Sequence, residues 1–357
     1  MSFPILKGAA YALVQANDML FYQGSTQTSE RRVNPNSEHL LNLTKHYRSF
    51  EEAVAYPPNQ VYIGNLQPRD LNAIPRPWYE NPVKDAKREG KHGEMMPLDE
   101  FYGLMKAVDT FELVLLEDGF QKAAAAKLHT HKALGSLPAM ARLEKGYAEA
   151  DLIQELVEVQ GAEPMYYKGA LIGCVKKAHN FDPALSAHVM MENLVSKASA
   201  VYVLALLLDK TDLKAAEVEY IIECSEEACG DMNQRGGGNF AKAIGEVCGL
   251  VNATGSDTRS FCAGPAHAMV EAAALVQAGI YKHVVVVAGG SSAKLGLNAK
   301  DHVKKGLPLL EDCLGAFAVH IAENDGLSPI IRTDVIGRHT IGSGTSPQAV
   351  MQAIVAD

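Results

Sequence analysis

Thr258-Arg259-Ser260-Phe261-Cys262-Ala263-Gly264-Pro265-Ala266 opens an Ala-rich stretch that ends at Gly279, and His283-Val284-Val285-Val286-Val287-Ala288 follows it. The second segment is a continuous β-branched run, the pattern of a strand covered on both faces by helices. The first predicts a helix whose amino end lies at Cys262. Free N–H groups and the positive end of the dipole at such an end favour a thiolate and can hold an oxyanion. Gly264 and the alanines would let another segment or an acyl chain come close. Residue context alone leaves a second reading open, a buried structural thiol, which is the usual fate of a free cysteine.

Outward from this stretch, the second half of the chain alternates helices with short apolar runs. Asp182-Pro183 has the form of an N-cap followed by proline at the first helical position, opening a helix to about Leu208. Its run from Ala198 to Leu208 is too short to span a bilayer and is assigned to a buried helix. Strands are expected over Glu219–Cys224, Ala316–Ile321 and Pro329–Ile331, and a short helix from Asn239 to about Leu250. Alternating strands and helices predict a layered α/β fold around a mixed sheet. The first half is more irregular. Strand-like fragments lie near Pro4–Val14 and Val61–Gly64, prolines at 57, 58, 75, 77 and 82 mark loops, and the charged stretch from Val83 to Met96 reads as exposed. Beyond Pro97 two helical patterns are expected, roughly Leu98–Leu134 with a break near Asp118-Gly119, and Pro138–Val159 closed by Gly161.

Composition narrows the function. The 357 residues carry 33 Lys+Arg against 42 Asp+Glu, a net charge of −9, which argues against general nucleic-acid binding. The basic run Lys84–His92 reads as a solvated loop. No signal peptide or membrane segment is recognised, so a soluble protein is expected. Six cysteines without a C-x-x-C pair predict reduced thiols in a cytoplasmic protein.

Other candidate motifs are weaker. His129 and His131 would face apart on a helix, and Cys224 and Cys229 lack a second ligand pair, so no metal is assigned. Gly236-Gly237-Gly238 and Gly342-Ser343-Gly344 match neither dinucleotide nor phosphate-loop patterns, and no cofactor is assigned. The serine-hydrolase G-x-S-x-G elbow is absent. His267, five residues beyond Cys262, is expected to face away from the thiol, and His339 lies in an expected loop. No base is named for either.

Phe261-Cys262-Ala263-Gly264, the helix to Gly279 and Val284–Gly290 resemble the nucleophile region of the thiolase superfamily, above all its β-ketoacyl carrier-protein synthase III type. Glu217–Ser225 and Leu309–Ala318 resemble neighbouring segments of that fold, although Cys313 stands where the family has a glycine. Ser2–Tyr11 and Tyr56–Gly64 resemble a narrower family, the component C β subunits of glycine/sarcosine/betaine reductases. The resemblance implies a thiolase-like core in two parts. Residues 1–180 would hold the first core strand and a large family-specific insertion. Residues 181–357 would hold the first thiolase-like half, with the second half missing, as in a fragment of a longer subunit. It implies that Cys262 is the catalytic, acyl-carrying nucleophile. It also implies that a carboxymethyl group on the selenocysteine of selenoprotein A becomes an acetyl thioester, released by phosphate as acetyl phosphate in anaerobic amino-acid fermentation. The expected partners are the α subunit of component C and selenoprotein A, in a dimer or heteromer. Two other readings stay open: a scaffold subunit that keeps the fold without catalysis, and a stand-alone condensing acyltransferase.

Overall fold

The computed structural model describes residues 2–226 and 239–337. Its ten strands, in chain order, are β1 (Ile5–Gln15), β2 (Gly93–Pro97), β3 (Val114–Glu117), β4 (Tyr147–Ala148), β5 (Glu163–Tyr167), β6 (Ala170–Val175), β7 (Tyr220–Glu223), β8 (Thr254–Asp257), β9 (His283–Ala288) and β10 (Cys313–Ala322). Six form one sheet in the order β2-β1-β10-β9-β7-β8, and four form a second, β4-β3-β6-β5. In the large sheet β10 runs antiparallel to β1 and β9, and every other pairing is parallel. The carboxyl ends of five strands therefore meet the amino end of β10 along one edge. That is where α/β sheets place their sites.

Two helical layers explain the β-branched runs. In β9, Val285 and Val287 join one core cluster, while Val284, Val286 and Ala288 join another. The first is built on the helix Ala187–Lys210, which packs on β1, β9 and β10. The second lies under the helix Gly264–Gln277, whose Ala268, Ala272 and Val276 repeat every four residues and face the sheet. This mixed α/β sandwich matches the expected fold class. From Met190 to Leu207 every residue of the longer helix is buried. It has the length and apolarity of a membrane span, but it serves as an interior helix, covered on its far side by the helix Leu98–Val108.

The first half differs from expectation in several places. The segment Gly93–Pro97, expected to be exposed, is a buried strand. Its Glu94 enters the interior because Arg88 Nη2 lies 2.8 Å away and His131 Nε2 3.1 Å away. Residues 61–64 are not a strand, because Pro57 and Pro58 start a helix over Pro57–Tyr62. The two long helical patterns break into helices Leu98–Val108, Asp118–Thr130 and Ala150–Glu158, separated by β3, a 3-10 turn and β4. Strands β5 and β6 had no counterpart in the sequence reading. Pro329–Ile331 contributes only an isolated bridge, Ile5 to Ile330. Near Asp182 the carboxylate caps Ala184 as expected, but only a 3-10 turn follows before the helix begins at Ala187.

One buried ion pair fastens the segment after β1 to the sheet edge. Arg48 donates through Nε to Asp312 Oδ2 at 3.1 Å and through Nη2 to Oδ1, and both side chains are almost wholly buried. Gln15, the last residue of β1, donates to the Arg48 carbonyl at 2.8 Å.

At the far end of the sheet, His320 of β10 is buried, with Nε2 3.0 Å from His283 Nδ1. Burial, then the neighbouring His283 and Lys7, hold its pKa down to about 4 against an ordinary 6.5. The native state therefore refuses a proton that the unfolded chain accepts. The associated stability is complete above pH 6.5 and drains away as pH falls towards 4. Lowering the pH from 8 to 5 should remove about 2 kcal/mol through this residue. Urea denaturation of the wild type and of His320→Gln at both pH values checks this, and the variant's loss should be smaller by that amount.

Candidate active site

Cys262 sits in a one-turn 3-10 segment, Phe261–Ala263, immediately before the helix Gly264–Gln277. Pro265 at the start of that helix lacks an N–H, which costs nothing at this position. Phe261 has φ +47, a left-handed conformation that an aromatic residue adopts only under constraint, and its side chain is exposed. The strained residue turns the chain so that Cys262 projects outward, and Cys262 is exposed. Cys174, Cys224 and Cys248 are buried, and Cys313 is half-buried. Burial pushes the Cys174 thiol up to about 11 and the Cys224 and Cys248 thiols up to about 12. None of these three competes with Cys262 as a nucleophile.

The thiol of Cys262 donates to Glu226 Oε1 at 3.7 Å, and the same oxygen lies 3.5 Å from Lys294 Nζ. A nucleophile, a carboxylate acceptor and a cation thus meet at the carboxyl end of β7. Glu226 and Lys294 were not singled out from the sequence. The usable signal was topological: Glu226 follows a parallel strand by three residues, where functional groups collect. A cavity of about 390 Å³ opens beside them, lined by Glu226, Gly289, Ser291, Lys294 and Cys313 among others. A larger cavity of about 800 Å³ lies between the insertion and the ends of β1 and β2, and its walls include none of these residues. The site is assigned to the smaller one, because it shares Glu226 with the exposed thiol.

The end of β7, which leads to Glu226, is tied down by several buried contacts. Glu223 is fully buried at the end of β7, and its Oε2 lies 2.6 Å from Arg259 Nη1. Burial pushes the Glu223 carboxyl up, and the Arg259 guanidinium opposes this. Asp257 accepts the N–H groups of Phe240 and Ala241 at 3.0 and 2.9 Å, capping the next helix. Gly289 N donates to Ser225 Oγ at 2.7 Å, and Gly290 N to Ser199 Oγ at 2.9 Å. A Cβ on Gly289 would fall 2.0 Å from the Ser196 carbonyl, so only glycine fits there. One on Gly264 would press on the Cys224 carbonyl at 3.1 Å.

The helix end offers less than the sequence suggested. Ala263 N donates to Ser260 O at 3.0 Å, and Gly264 N is taken by Phe261 O. The dipole remains, but these two amides are occupied. His267 is exposed on the helix, with no hydrogen bond to Cys262 among the described residues. His339, Cys229, Gly236–Gly238 and Gly342–Gly344 lie outside the described residues. His129 pairs with Glu144 at 2.6 Å and His131 with Glu94, so each has a carboxylate neighbour. No group of metal-binding side chains occurs among the described residues.

Residues 256–336 match the family model for 3-oxoacyl-[acyl-carrier-protein] synthase III, which spans the thiol turn, β9 and β10. Over 99% of its length the chain is 56% identical to the glycine/sarcosine/betaine reductase complex component C subunit beta of Peptoclostridium acidaminophilum, covering 69% of that protein. The chain belongs to this family of component C β subunits. Among solved structures, the priming β-ketosynthase of the R1128 polyketide pathway aligns over 36% of each chain, at 22% identity and TM-score 0.27. Cerulenin-bound OleA of Xanthomonas campestris aligns over 45% of this chain and 54% of its own, at 13% identity and TM-score 0.34.

In this component C β-type chain, the Phe261 turn can be tested separately from the thiol. Phe261→Gly should stabilise the protein by about 1 kcal/mol by relieving left-handed strain. The same change should leave iodoacetamide alkylation of Cys262 about as fast, because glycine keeps the turn that exposes the thiol. Urea midpoints and alkylation rates measured on the same preparations check both.

Proposed function

We propose that this chain carries a two-carbon acyl group as a thioester on Cys262, within a component C assembly. The observation that supports this most is the exposed thiol on a strained turn, 3.7 Å from a carboxylate and beside a cavity. Glu226 accepts the thiol proton, and the thiolate becomes the nucleophile. Following the family, the incoming group is the carboxymethyl on the selenocysteine of selenoprotein A. The balance of that step is demanding. A carboxymethyl selenide, the Cys262 thiol and one further thiol give an acetyl thioester, a selenium–sulfur bond and water. The carbon–selenium bond breaks, the methylene carbon gains hydrogen and is reduced, and selenium is oxidised. Phosphate oxygen then attacks the thioester carbonyl, the C–S bond breaks, and acetyl phosphate leaves with the thiol restored.

The α subunit of component C and selenoprotein A are the partners this reading requires, in a heteromeric assembly. A thiol that cycles through a thioester needs a reducing compartment, so we place the chain in the cytoplasm. A second reading, a scaffold subunit, draws support from the occupied Ala263 and Gly264 amides and from the lack of a histidine bonded to Cys262 among the described residues.

The two readings separate cleanly. In the assembled complex, acetyl phosphate should add the mass of one acetyl group to the chain, at Cys262, by reversal of the last step. Cys262→Ser should abolish the adduct, and Glu226→Gln should slow its formation by about 10²-fold. Iodoacetamide should alkylate Cys262 ahead of the other five cysteines. Unchanged turnover in Cys262→Ala would establish the scaffold instead.

A further inference from the structure

A second charged cavity lies away from the thiol, in the insertion. It occupies about 240 Å³ and is lined by Lys106, Asp109, Glu112, Arg142, Lys145 and Lys176. The helix Leu98–Val108 begins at the sheet edge beside β2 and carries Lys106 in its last turn. Over eleven residues that helix moves the chain about 15 Å from the edge where it began. The cavity shares no lining residue with the one beside Cys262.

Four cations face two carboxylates here. Lys106 is almost wholly buried, and its Nζ donates to the Val114 carbonyl at 2.8 Å. Burial lowers its pKa, and Lys176 and Lys145 add to the lowering, while Asp109 and Glu112 oppose it. Arg142 Nη1 donates to the Ala107 carbonyl at 2.8 Å. Among the described residues neither Arg142 nor Lys176 has a carboxylate within 4.0 Å. Asp109 already accepts the Phe111 and Val114 N–H groups, at 3.1 and 2.7 Å. Glu112 meets the exposed Lys145 at 3.5 Å, a weak surface pair. A helix carboxyl end favours a nearby cation, but that accounts for one or two of the four. Gly146, at φ +71, leaves the space above Lys106 open, since a Cβ there would lie 3.1 Å from Nζ. At Lys106 the pull of Asp109 and Glu112 outweighs the push of Lys176 and Lys145, and Arg142 and Lys176 complete the lining as further cations that an anion could meet.

We infer that this cavity binds a phosphate group, either free phosphate or a small acyl phosphate, as a site separate from the nucleophile. Guanidinium and ammonium donors converging on one small space suit a tetrahedral oxyanion. At about 240 Å³ the cavity is below the size of ordinary organic-ligand clefts, which excludes nucleotides. The inference does not depend on the thioester chemistry at Cys262.

Calorimetric titration of the full chain with inorganic phosphate tests it. Saturable binding is expected, weakened about tenfold or more by Arg142→Ala and by Lys176→Ala. Arg142→Lys should restore part of the loss, and unchanged urea midpoints should show that the variants remain folded. Lys294→Ala, beside Cys262, should leave this binding unchanged, which separates it from any phosphate at the thiol. In a Cys262→Ser background, acetyl phosphate should displace phosphate if the physiological source is an acyl phosphate, and fail to do so if it is the free ion. Adenosine monophosphate should not displace it, and displacement would overturn the size argument. Absence of wild-type binding up to about 10 mM phosphate, or equal binding by the two alanine variants, would overturn the site.

Discussion

A helix buried on every side cannot be left half-covered, and the helix Ala187–Lys210 imposes that condition on everything else. Leu194, Val195, Val201, Leu204 and Leu207 each remove a side chain from water, contributing roughly 2 kcal/mol apiece. One side of this helix is satisfied by β1, β9 and β10. The other side would face water if the sheet stood alone. It is closed by the helix Leu98–Val108 with β2, β5 and β6 from the insertion. The long excursion between β1 and the central helix is therefore part of the core and as necessary to the fold as the sheet.

The same helix reaches the site through the few polar side chains it buries. Ser196 Oγ donates to the Gly290 carbonyl at 3.0 Å, and Ser199 Oγ accepts Gly290 N. Glu192 accepts from Ser291 at 3.2 Å and from Ser292. These contacts draw the 289–292 turn against the helix, and the absent Cβ of Gly289 makes the approach feasible. Ser225 then ties that turn to the end of β7, and the next residue, Glu226, accepts from the Cys262 thiol. The cavity beside the thiol is set by a rigid wall whose other face is the hydrophobic core. A buried carboxylate such as Glu223 is tolerated there because Arg259 meets it, so the charge that would otherwise cost several kcal/mol becomes a fixed strut.

What could be read from the chain follows from how local each signal is. The valines of β9 and the Ala-rich helix after Cys262 announce themselves, because each residue's neighbours in sequence share its environment. Gly93–Pro97 did not, since Glu94 looks solvated until Arg88 and His131 are brought to it by the fold. The strands β3 to β6 are short and interleaved with helices, so a helical period carried across their boundaries. The proline pair at 57 and 58 reads as a loop, but proline at the first helical positions is equally a helix start, and here it opens Pro57–Tyr62. Cys262 was visible because its turn and helix are contiguous. Glu226 and Lys294 were not, because 68 residues separate partners that meet only when β7 and β9 lie side by side.

The chemistry of the site follows from which donors are already engaged. A thioester at rest is neutral and needs little more than a protected pocket. Only its formation and breakdown pass through a tetrahedral oxyanion that demands N–H donors. Here the amides of Ala263, Gly264, Gly289 and Gly290 all have partners in the ground state. Glu226 can take the thiol proton, but a carboxylate cannot stabilise a second negative charge. Among the described residues the Lys294 ammonium, 3.5 Å from Glu226 Oε1, is a cation placed where such charge could be met. Under the proposed carrier role the exposure of the thiol is a requirement, because groups supplied by a partner chain can reach only a sulfur that is not buried.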